Sequence, residues 1–205
     1  MNVLYAAGLG FGLGVVTGMP LGVINIAIVD AVATGRQRFA SGLGLGGGVA
    51  DAVHAMLAFA GFGRLVIADP ALVRDLAIVA AITIVAYAVI AWRSRARAVD
   101  PRGGTQTGND SSRIRGVATG IGLTLPNPAA LAAWVAVAAA LWPGATLLEA
   151  TLLAGGVGAG SALWFTALAR WVGRVRRDHP ALTLIPRVAM ILLTGIAVAG
   201  VVRTL

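Results

Sequence analysis

Apolar residues run in long stretches along this chain, and the stretches recur from end to end. A helix needs about 17–25 such residues to cross a hydrocarbon layer roughly 30 Å thick, and the length allows about six crossings and little else. Helix one is expected from about Val3 to Ala33 and helix two from about Phe39 to Ile67. Helix three follows at about Ala71 to Trp92, helix four at Gly116 to Leu141, helix five at Leu147 to Val172 and helix six at Leu184 to Val202. Residues 93–115 change character: Arg93, Arg95, Arg97, Arg102, Arg113 and Arg115 stand among Gly103, Gly104, Gly108, Ser111 and Ser112. That composition predicts a solvated, flexible linker. The expected fold is therefore an all-α integral membrane protein of six helices, with halves 1–92 and 116–205 joined by the linker 93–115.

Composition agrees, because 58% of the 205 residues are hydrophobic and 12% charged, with mean hydropathy +0.87. A water-soluble core cannot absorb that much apolar surface. There is no Cys, which excludes disulfides, thiolate metal sites and cysteine nucleophiles. The net charge of +8 would suggest nucleic acid in a soluble protein. Here all sixteen basic residues are Arg, nearly all between apolar segments, so topology accounts for the charge and no nucleic-acid partner is expected. Arg36 and Arg38, the six linker arginines, and Arg170, Arg174, Arg176, Arg177 and Arg187 follow helices one, three and five, thirteen of the sixteen on one side. The other side holds Arg64, Arg74 and Arg203, offset by Asp69, Asp75 and Glu149. Cytoplasmic loops carry the positive excess, so the protein is expected in the plasma (inner) membrane with both termini outside. Met1 to Val29 carries no charge and reads as an uncleaved first helix, not an export signal.

Three helices per half require a duplicated half to insert upside down, the inverted-repeat plan of many secondary transporters. Laying Pro20 on Pro126 sets Gly18-Met19-Pro20-Leu21 opposite Thr124-Leu125-Pro126-Asn127. The same logic sets Gly47-Gly48 beside Gly155-Gly156. Helices one and four are thus expected to break at Gly18, Pro20 and Gly22 and at Pro126 and Pro128. Proline removes a backbone donor and frees carbonyls that lipid cannot satisfy, so the breaks must face protein or water. They predict a central cavity where half-helix ends meet a polar solute, the alternative being kinks that serve packing alone.

Asp51 is the sharpest single residue, because a carboxylate at the bilayer centre costs at least about 2.5–3.5 kcal/mol. His54, three positions on, shares a helix face with it, and the two are read as a proton or cation site or as a structural pair. Asp30 is expected to pair with Arg36 or Arg38. Asn25 and Asn127 lie near the breaks, ready to bind substrate or to satisfy freed carbonyls, while Trp134 and Trp164 either line a pathway or pack. The spacings Gly14/Gly18/Gly22, Gly42/Gly46, Gly44/Gly48 and Gly156/Gly160 permit close helix approach, within the chain or in a homodimer. No phosphate loop, Ser-His-Asp order or zinc-peptidase spacing is present, and one Asp and one His supply too few metal ligands. No enzyme, cofactor or metal centre is expected, so energy must come from an ion gradient or a partner.

Gly18-Met19-Pro20-Leu21-Gly22-Val23-Ile24-Asn25, the run Gly47-Gly48-Val49-Ala50-Asp51, and Asn127-Pro128 followed by Trp134 together carry a family resemblance. They resemble the first-helix Pro-Leu-Gly-Pro-x-Asn, second-helix glycine-and-aspartate and fourth-helix Asn-Pro elements of the LysE superfamily of small exporters, which includes lysine and homoserine/threonine efflux branches. Val23 departs from the pattern where many members have a second proline. The resemblance implies export of amino acids or related small solutes in exchange for protons, with lipid, solute and protons as partners. Related branches imply divalent or heavy-metal cation efflux instead, and a third reading is a membrane scaffold subunit that transports nothing.

Overall fold

The computed structural model describes residues 3–19, 22–98, 113–142 and 144–174, together with the helical positions Leu184, Val188, Ile191 and Gly195. Helix six otherwise lies outside the described residues, as do Pro20 and positions 99–112 of the linker. The described elements are all helical: α1 (Val3–Gly18), α2 (Val23–Ala33), α3 (Gln37–Phe59), α4 (Phe62–Ile67), α5 (Pro70–Ala98), α6 (Arg113–Thr124), α7 (Pro128–Leu141) and α8 (Leu147–Val172). Helix one is two helices, α1 and α2, bent by 67°, and helix four is α6 and α7, bent by 74°. Helix five is α8, with the expected bounds.

Two expectations need correction. The span from Phe39 to Ile67 is not one helix, because Gly61 adopts a left-handed φ of 83° between α3 and α4, a conformation that ends a helix and suits glycine. Helix also reaches further into the linker than its composition suggested: residues 93–98 continue α5 and Arg113 opens α6. The reason is local, since Arg and Ala are strong helix formers.

The closest helix–helix approaches among the described residues are made at glycines. A Cβ on Gly10 or Gly14 of α1 would run into the carbonyls of Leu153 or Val157 on α8, and one on Gly156 or Gly160 of α8 into those of Ala7 or Phe11 on α1. The same arrangement recurs between α6 and α3, with Gly116 and Gly120 against the carbonyls of Phe39 and Leu43, and Gly42 and Gly46 against those of Arg113 and Val117. Without side chains the backbones approach closely, which gives dispersion contact and weak Cα–H···O bonds where lipid offers no hydrophobic drive.

These contacts establish the repeat residue by residue. Gly10 and Gly14 map onto Gly116 and Gly120 by a shift of 106, while Gly42 and Gly46, together with Phe39 and Leu43, whose carbonyls face Gly116 and Gly120, map onto Gly156, Gly160, Leu153 and Val157 by a shift of 114. The expected match of Gly47-Gly48 with Gly155-Gly156 is therefore out of register. The cause is unequal length between the break and the glycine helix: α7 has 14 residues and α2 has 11, and the connections that follow them also differ.

Direction follows from the same pairs. Numbers rise together between α1 and α8 and between α3 and α6, so each pair runs parallel. Gly44 meets Phe165, Gly48 meets Ala162 and Ala52 meets Gly158, so α3 and α8 run antiparallel. Hence α1 and its counterpart α6 point in opposite directions, as inverted halves require. Because α3 and α6 are parallel, the chain must recross between them, and α5 does so: Pro70–Ile90 is apolar enough to span, as are α3 and α8. Three described helices are thus long and apolar enough to cross, and the crossings number up to five if each bent pair is one span.

One end of the bundle collects the arginines. Gln37 Nε2 donates to the Ala169 carbonyl at 3.1 Å and Gly116 lies on Phe39, which gathers the starts of α3 and α6 and the end of α8. Arg36, Arg38, Arg113, Arg115, Arg170 and Arg174 fall there, as the alternation of loops predicted. Ile24, Ile28, Leu43, Leu123 and Phe165 form one core, and Trp134, Ala138, Leu153 and Val157 belong to a second.

Glycines in contact and glycines facing outward should respond oppositely to a methyl group. Gly160→Ala is expected to destabilise the purified protein by about 1–3 kcal/mol, since the atoms it meets are backbone and cannot rotate away. Gly155 has open space around it, so Gly155→Ala should stabilise by roughly 0.5–1 kcal/mol through helix propensity. Denaturant titration in detergent reads both, and equal effects would refute the packing.

Candidate functional site

A helix broken within an apolar layer leaves backbone groups that something other than lipid must satisfy. At the first break, α1 stops at Gly18 and Gly22 is extended, with φ −98° and ψ 176°. Asn25, buried in α2, donates from Nδ2 to the Gly18 carbonyl at 2.9 Å. Trp164 of α8 covers the break from the other half: its Cδ1 lies 3.0 Å from where a Gly18 Cβ would stand. The buried indole Nε1 has no hydrogen-bond partner among the described residues.

At the second break, α6 ends at Thr124 and Pro126 sits in the turn. Asn127 then caps α7, its Oδ1 accepting from the Ala129 amide at 3.1 Å, and Pro128 occupies the first turn, where its missing donor costs nothing. His54 of α3 reaches this break, with Nε2 3.0 Å from the Leu125 carbonyl. A carbonyl only accepts, so Nε2 carries the proton and Nδ1 is left as a lone pair. That Nδ1 is buried without a partner among the described residues, as is the Thr124 hydroxyl.

Between the breaks stands Asp51, half-buried in α3. Its carboxyl group neighbours the hydroxyl of Ser161 on α8, and Ser161, fully buried, donates to the Gly14 carbonyl in the last turn of α1 at 3.2 Å. Asp51 and His54 share α3 but serve different neighbours, Asp51 meeting α8 and His54 the α6–α7 turn. Elsewhere, the buried Asp30 is ion-paired with Arg36 at 3.0 Å, and Trp134 is packed in the second core. Among the described residues no three His, Cys, Asp or Glu side chains gather as a metal site would require.

Each glycine helix thus sends polar groups to the break of the opposite half: His54 from α3 to α6–α7, Ser161 and Trp164 from α8 to α1–α2. This is a candidate site built at helix ends around a few polar side chains, of the sort that transporters with broken helices use. Sequence comparison decides which kind, for the LysE type translocator family matches residues 15–203. The chain belongs to that family. No curated protein and no solved structure matches it. As a LysE type translocator it is a multi-pass membrane protein that exports small solutes.

Two participants escaped the sequence reading. Ser161 looks like one more small residue of a Gly/Ala-rich helix, although its place directly after Gly160 sets it beside the face that meets α1. Leu125 acts through its carbonyl, which no side-chain pattern reports. The glycine stripes of the translocator are engaged within the chain, so they do not themselves argue for a homodimer.

The amides at the breaks make separable contributions. Asn25→Ala leaves the Gly18 carbonyl without its cross-break donor and should cost ~1–3 kcal/mol; Asn127→Ala removes a helix cap and should cost ~0.5–2 kcal/mol. Unfolding midpoints indistinguishable from wild type would show that these amides do not hold the breaks.

Proposed function

We propose that this translocator exports amino acids or related small solutes from the cytoplasm across the plasma (inner) membrane in exchange for protons, with Asp51 as the group that protons and cargo share. The observation that carries this reading is the position of Asp51. Of the other acidic residues described, Asp69, Asp75 and Glu149 lie at or near helix starts, and Asp30 is ion-paired with Arg36. Asp51 stands mid-helix beside a hydroxyl, with no cationic partner among the described residues. A carboxylate retained at that depth against its cost suits a function in which it binds a proton in one state and a substrate ammonium in another.

The surrounding groups fit the same cargo. His54 offers the Nδ1 lone pair as an acceptor, Thr124 a hydroxyl and Trp164 an indole donor, so both the ammonium and the carboxylate of an amino acid would find partners. Asn25 and Asn127 hold the break backbone in this state and can exchange those bonds for a solute. In this reading the arginine-rich end faces the cytoplasm and both termini lie outside.

Cells producing the wild type should accumulate less labelled amino acid than cells producing Asp51→Asn at equal membrane abundance, and collapsing the proton gradient should abolish the difference. Full efflux by Asp51→Asn would remove Asp51 from the mechanism. A wild-type effect on metal sensitivity with none on any amino acid would point to cation efflux instead.

A further inference from the structure

We propose that Ser161 is a positioning residue that transmits the protonation state of Asp51 to the broken first helix. The inference rests on the reading of Asp51 as the proton-binding group and assigns it a mechanical output. Ser161 lies between two acceptors, the Asp51 carboxyl on α3 and the Gly14 carbonyl on α1, and a hydroxyl has one proton to give.

With Asp51 protonated, its O–H donates to Ser161 Oγ and the Ser161 hydroxyl donates onward to Gly14, the bond drawn in this structure at 3.2 Å. With Asp51 ionised, the carboxylate can only accept, and a charge-assisted bond is roughly twice as strong as a neutral one. The hydroxyl then turns to Asp51 and releases the Gly14 carbonyl. No covalent bond changes apart from the O–H that Asp51 gains or loses with water, and Ser161 itself only rotates. Thr17 does not replace it, since its hydroxyl is bonded to the Leu13 carbonyl at 2.8 Å and stands 3.5 Å from that of Gly14. The α1–α8 contact at the first break is therefore fastened when Asp51 holds a proton and loosened when it does not.

The internal repeat isolates the device. Gly14 corresponds to Gly120 and Ser161 to Gly47, and a Cβ on either glycine would meet the partner amide alike, at 2.9 Å from Ser161 N and 3.0 Å from Gly47 N. The backbones match, but at this contact the hydroxyl exists on α8 alone, so the second break has no such link. Other titratable groups on the helices packed against α3 stand at helix ends: Tyr5 on α1, Asp30 on α2, Arg64 on α4, Arg113 and Arg115 on α6, and Glu149 and Arg170 on α8. α7 has none. Among the described residues, the polar group that meets Asp51 is the Ser161 hydroxyl. On α3 itself, His54 is bonded to Leu125.

The test uses the absence of cysteine. Spin labels on Val16→Cys of α1 and Leu163→Cys of α8, both exposed, report the separation at the break by pulsed electron paramagnetic resonance in lipid nanodiscs from acid to alkaline pH. The expected result is two distance populations whose ratio titrates in the labelled parent, stays in the acid-side ratio at all pH in Asp51→Asn, and loses its pH dependence in Ser161→Ala. Ser161→Gly, which copies the residue at Gly47, should behave as Ser161→Ala does and serves if that variant fails to fold. Titration persisting in both Ser161 variants but absent in Asp51→Asn would overturn the relay and leave Asp51 as the proton site. Titration persisting in Asp51→Asn would overturn both readings, and a parent that does not titrate would overturn the relay.

Discussion

Helix axes in this protein approach so closely at glycines that a single added carbon would strike backbone on the facing helix, and this constraint organises the rest. Inside a bilayer the lipid tails are as apolar as leucine, so burying apolar side chains gives helices little reason to associate. Close backbone approach supplies the attraction instead. It is directional, because only stripes spaced four residues apart present a flat enough surface. Here the stripes pair across the repeat: α1 of the first half lies on α8 of the second, and α6 of the second on α3 of the first. Each half's break is met by the glycine helix of the other.

That exchange explains where the chemistry sits. A broken helix in an apolar layer is tolerated only where protein completes it, and the completing groups come from the glycine helix of the opposite half. His54 reaches the Leu125 carbonyl, Ser161 the Gly14 carbonyl, and Trp164 covers Gly18. Asp51 stands beside Ser161 where α3 and α8 cross. The halves match in backbone, yet they differ in these side chains, and a transporter needs that difference if one event, proton binding, is to act on one break and not equally on both.

Much of this was legible before any coordinates, for physical reasons. Spans announce themselves by length of apolar run, and the breaks by Pro126-Asn127-Pro128 and Gly18-Met19-Pro20. The pairing of Asp30 with a nearby arginine followed from proximity in the chain. Glycine spacing showed that helices would approach closely but not which helices, because a stripe is equally flat toward any partner. The repeat register failed where connections of unequal length shifted the second helix by eight residues relative to the first, from 106 to 114. Ser161 and the Leu125 carbonyl were illegible for a different reason: their importance lies in what faces them across the bundle.

The claim that the first break is held by a helix of the other half can be tested in one oxidation experiment. A Cβ on Gly18 would lie 3.5 Å from that of Trp164, within the range that a disulfide bridges. In the chain carrying Gly18→Cys and Trp164→Cys, with a protease site placed among residues 99–112, oxidation in membranes followed by cleavage should leave the halves joined as one band that separates on reduction. Halves that come apart under oxidising conditions would contradict the account.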